Sequence, residues 1–63
     1  MTLNLEPNAS KPDEIYAAIM QMHEGLSEDE SANVNARMIL MLANHIGDAR
    51  VVKEAAKIAR KEK

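Results

Sequence analysis

The chain has 63 residues, 46% of them hydrophobic and 29% charged, with a formal net charge of -2 and one aromatic side chain, Tyr16. A chain this short buries only about 60% of the surface its unfolded form exposes, so one marginal domain is the ceiling and association with another chain is the support left to it. Cysteine is absent, which excludes disulfides, a thiolate metal cage and a cysteine nucleophile; the scarcity of aromatics argues against base stacking as a grip on single-stranded nucleic acid.

Residues 1–9 read as an extended arm. Leu3 and Leu5 alternate with polar residues and Pro7-Asn8 reads as a turn, and because a lone strand has no partner, the arm is expected to lay its two leucines across helices. It carries neither a basic leader nor an apolar signal core, and no apolar stretch approaches the ~20 residues of a membrane span, so the expected compartment is the cytoplasm. A first helix is expected over about 11–25. Ser10 is placed to cap it, Pro12 needs no donor in the first turn, and Asp13 and Glu14 suit the positive end of the helix dipole. Ile15, Ile19, Met22 and Leu26 then form one apolar stripe, and Gly25 can end the helix.

Ser27 and Glu30 have the spacing of a capping box and three acids fill the turn that follows Ser27, so a second helix is expected over about 28–46, stopping at Gly47. Asp48 is the next N-cap, opening a third helix over about 49–61. Short glycine-containing turns make consecutive helices antiparallel neighbours, so the expected fold is all-α, a small antiparallel three-helix bundle or an open helical hairpin plus a third helix, with an extended N-terminal arm, in one domain.

The second helix holds the run Met38-Ile39-Leu40-Met41-Leu42-Ala43, and a helix apolar on nearly every side must be covered on more than one. Projected at ~100° per residue, Ala32, Ala36, Ile39, Leu42, Ala43 and Ile46 gather as the core stripe, with Asn35 among them. Val34, Met38, Met41 and His45 gather on a second side, which is the expected interface because methionine adapts to irregular partner surfaces. An unpaired buried amide costs about 1–3 kcal/mol, so Asn35 needs a partner. Two readings stand: pairing across an interface to fix register, or bonding to the backbone of the arm or of a helix end.

Little here carries chemistry. His23 falls in the apolar stripe of the first helix and His45 borders the methionine side of the second, and neither belongs to a metal-ligand spacing. Both are expected to be partly buried packing residues, with no metal and no cofactor. No nucleophile, oxyanion loop or cofactor fingerprint accompanies them, so no enzyme activity is expected. Charge is lopsided: residues 1–36 hold seven acids against Lys11, a sum of -6, and residues 37–63 hold seven bases against three acids, a sum of +4. Ordinary solvation of outer faces accounts for this. The alternative is a regulatory module that binds nucleic acid through Arg50, Lys53, Lys57, Arg60 and Lys61 on one side of the third helix, a reading set back by Glu54 among them and by the acidic total.

The segments Leu3-Asn4-Leu5-Glu6-Pro7-Asn8, Gly25-Leu26-Ser27, Asn35-Ala36-Arg37 and Leu42-Ala43-Asn44-His45-Ile46-Gly47-Asp48 resemble a family of small bacterial proteins known only as a domain of unknown function. The resemblance spans essentially the whole chain. It implies a bacterial cytoplasmic protein encoded beside flavin-dependent hydroxylases of aromatic compounds, supplies no catalytic residue, and draws attention to Asn35, Arg37, Asn44, His45 and Asp48 as polar recognition or core-pairing residues. The function expected on these grounds is a noncatalytic protein-protein interaction module, either self-associating or a small accessory subunit of a larger enzyme, with no membrane contact.

Overall fold

A computed structural model describes residues 2–61. Three helices follow one another, α1 (Pro12–Met22), α2 (Glu28–Ile46) and α3 (Ala49–Lys61), and no strand occurs among the described residues. The fold is small and all-α, as the sequence predicts.

The starts of α2 and α3 are set by local chemistry. At α2 the N–H of Glu30 donates to Ser27 Oγ at 3.2 Å while the N–H of Ser27 donates to Glu30 Oε1 at 2.9 Å, satisfying two N–H groups reciprocally. At α3 the N–H of Arg50 donates to Asp48 Oδ1 at 2.9 Å. Gly47 ends α2 in the left-handed conformation, φ 69°, and its N–H donates to the Ala43 carbonyl at 2.9 Å, a conformation that costs glycine nothing.

The bounds of α1 differ from the expectation at both ends. Its cap position is Lys11 rather than Ser10, and no side chain caps it. Lys11 lies at φ 52°, ψ 59°, in the left-handed region and outside the right-handed helical conformation that the ring of Pro12 disfavours in the residue before it. The helix stops at Met22 instead of Gly25. Beyond it the N–H groups of His23 and Glu24 donate to Met20 and Gln21, each at 3.1 Å, so the last turn tightens to i+3 bonds, and Gly25, φ 74°, serves the loop rather than the cap.

Packing between the helices is sparse. Val51 alone is buried among the described residues, at 5% exposure, and the packing of an antiparallel bundle is not confirmed. Along α2 the half-buried residues in its first three turns are Ser31, Val34 and Met38, spaced three and four apart and so on one side of the helix. Met22 and His23 at the end of α1, and Val52 and Ile58 on α3, are half-buried as well. In the arm Leu3 is half-buried and Leu5 exposed, so one leucine of the two lies against helices. Its chain bends at Glu6, whose N–H donates to Asn4 Oδ1 at 2.9 Å, and not at Pro7-Asn8.

Candidate functional site

The faces of α2 come out in an order the sequence did not predict. Ile39, Leu40, Met41 and Leu42 are exposed at 63%, 70%, 65% and 50%, so Ile39 and Leu42, expected in the core, are largely open, while Ala43 of the same expected stripe is half-buried. Of the four residues expected at an interface, Val34 and Met38 are half-buried while Met41 and His45 are exposed. The expectation failed because both sides of this helix are apolar, and which one is covered depends on where the rest of the chain lies. The clue in the sequence was the unbroken run itself, since four consecutive apolar residues span all sides of a helix.

Asn35 is exposed, not buried in a core, so its amide reaches water and needs no protein partner. Its expected surroundings, Ile39 and Leu42, are exposed beside it. Arg37 and Asn44 are exposed too. His23 is half-buried as expected of a packing residue, whereas His45 is exposed and does no packing in this chain.

Asp48 is half-buried and closely engaged. Besides capping α3, its carboxylate pairs with the Arg50 side chain, Nε to Oδ1 and Nη2 to Oδ2, both at 3.4 Å. The Arg50 side chain and then its backbone N–H stabilise the ionised form and hold the Asp48 carboxyl below the ordinary aspartate value. This is a device for starting a helix.

Between the C-terminal half of α2 and the first turns of α3 runs an apolar groove of about 200 Å³. Ile39, Leu42, Ala43 and Ile46 form one wall, Val51, Val52 and Ala55 the other, and Leu3 of the arm closes it. Ligand pockets are typically about 300–1,000 Å³ and place a few polar groups to orient their ligand. This groove is smaller and all its lining residues are apolar.

The basic residues of α3, Arg50, Lys53, Lys57, Arg60 and Lys61, are exposed. No described residues form a group of three histidines or carboxylates able to hold a metal ion, and no described helix is long and apolar enough to cross a membrane.

Fold and surface together define a small all-α protein whose second helix leaves large apolar side chains exposed. The chain belongs to the protein family of unknown function DUF2783, whose model matches residues 3–61. No curated protein and no solved structure matches it.

Proposed function

We propose that this protein is a noncatalytic interaction module whose contact surface is the exposed apolar residues of α2 and the groove beside it. The observation that carries the proposal is surface area. The chain exposes 5866 Å², whereas a compact protein of its 7.0 kDa exposes about 4,000 Å². The difference, about 1,800 Å², includes the extended arm, but the large apolar side chains on α2 fall within it. Large apolar side chains left exposed in this number on one helix favour an association site over ordinary surface.

Self-association and service as a small accessory subunit of a larger cytoplasmic enzyme both use such a surface. The family resemblance favours a flavin-dependent aromatic hydroxylase as that enzyme. Binding of nucleic acid through α3 is the weaker reading, because Glu54 interrupts the basic side and the chain is acidic overall.

Sedimentation of the purified chain, with intact-mass measurement of the complex recovered from its host, tests the proposal. The expected result is a defined homomer or heteromer. A chain that stays folded and monomeric at high concentration and joins no complex in its host overturns it. Tight DNA or RNA binding that weakens steeply with salt would replace it with the nucleic-acid reading.

A further inference from the structure

We propose that the N-terminal arm is a releasable strap that governs access to the groove between α2 and α3, with Leu3 as the side chain that seats it. The use made of the opened groove rests on the interaction reading above; the release itself does not.

The arm is seated thinly. Among residues 2–10 only Leu3 is withdrawn from solvent, and it is half-buried; the others are exposed, Leu5 at 70%. Among the described residues no hydrogen bond joins residues 2–10 to a helix, and the bond from the Glu6 N–H to Asn4 Oδ1 stays inside the arm. Against this stands the cost of order. Fixing an extended backbone costs conformational entropy at every residue, and the whole segment is fixed here for the partial burial of one leucine. The arm gains no ladder of backbone bonds in return, as a strand in a sheet would. It is therefore held by a small margin, the condition under which a segment opens locally while the helices stay folded. Once released, Leu3 remains tethered to α1 through residues 4–11, so it returns to the groove without being lost to solution.

The place where Leu3 sits gives its release a consequence. Leu3 shares the groove with Ala43, Val51 and Val52, and Val51 is the one buried residue among those described. When the arm leaves, the two helix walls stay, and every residue that lines them is apolar. Leu3 also shows what fits the opening, a branched aliphatic side chain carried on extended backbone. A partner presenting such a side chain competes with the arm for the same place, and its apparent affinity is reduced to the extent that the arm is docked.

The chain lacks cysteine, so a single introduced thiol reports access without background. Ala43→Cys places it in the groove, at a half-buried position, and Ser31→Cys places it at a half-buried position outside the groove. Iodoacetamide labelling of Ala43→Cys is expected to quicken roughly tenfold when Leu3→Ala is added, the equivalent of about half a leucine's burial. Deleting residues 2–9 is expected to give a similar rate, while labelling of Ser31→Cys and the circular-dichroism helix signal stay as they were. With the arm intact, the Ala43→Cys rate is expected to be nearly flat at low urea, because local opening exposes little surface. An unchanged rate at Ala43→Cys, an equal rise at Ser31→Cys, a rate that climbs with urea in step with unfolding, or loss of the helix signal on Leu3→Ala overturns the strap and leaves the interaction reading standing. A chain that labels as expected but joins no complex in its host overturns the interaction reading alone.

Discussion

Ser27 and Glu30 cap each other: each backbone N–H donates to the other residue's side chain, at 2.9 and 3.2 Å. Both bonds lie within one turn and use no atom from elsewhere in the chain, so they hold the start of α2 even where tertiary packing is thin. Replacing Ser27 with Ala removes the acceptor for the Glu30 N–H and is expected to cost about 0.5–2 kcal/mol, against a few tenths for Gly. Chemical denaturation of the two variants checks this, and equal stabilities for Ser27→Ala and the parent chain would show that the box contributes nothing.

Asp48 makes stability depend on acid. Its folded-state value is lowered, first by the Arg50 side chain and then by the Arg50 N–H, so over this range the unfolded chain binds the proton more readily. The contribution is complete above the ordinary aspartate value near pH 4 and is lost as pH falls through the lower folded value. Asp48→Asn retains a good capping side chain without the titration. The stability difference between parent and variant is therefore expected to narrow below about pH 4, measured by thermal melts across the acid range; a difference that stays constant down to pH 2 contradicts it.

Met38 and Met41 are expected to behave differently. Full burial of a methionine side chain is worth roughly 1.5–3 kcal/mol, and Met38 is only half-buried, so Met38→Ala should cost roughly 1 kcal/mol. Met41 is 65% exposed, and Met41→Ala should change the monomer's stability by less than about 0.5 kcal/mol. Denaturation at low protein concentration, where association is weakest, measures both. The reverse order would mean that the other side of α2 is the covered one.

Two positions outside the right-handed region should respond oppositely to substitution. Gly47→Ala places a side chain at φ 69° and is expected to cost about 1–2 kcal/mol. A Cβ there meets only the Asn44 carbonyl oxygen, at an unstrained 3.7 Å, so the cost is conformational rather than steric. Lys11, already at φ 52°, is the converse case. Lys11→Gly is expected to relieve the left-handed penalty and to give up only the exposed 3.8 Å pairing with Glu14, which contributes little. Melting temperatures should therefore fall for the first variant and hold or rise for the second.

The amino-acid sequence alone determined the all-α fold, the bounds of α2 and α3, the box at Ser27 and Glu30, the cap at Asp48 and the left-handed stop at Gly47. Each depends on residues at most four apart, so the bonding is complete within the segment that encodes it. The start of α1 was less legible: Ser10 is a capping residue by type, yet Lys11 holds the cap position and no side chain caps the helix. Only the tertiary structure decided which side of α2 faces inward. Val34 and Met38 are as apolar as Ile39 and Leu42, so periodicity ranks the two sides equally; the choice depends on the placement of residues distant in sequence, and with it Ile39 and Leu42 stay well exposed and Asn35 in water.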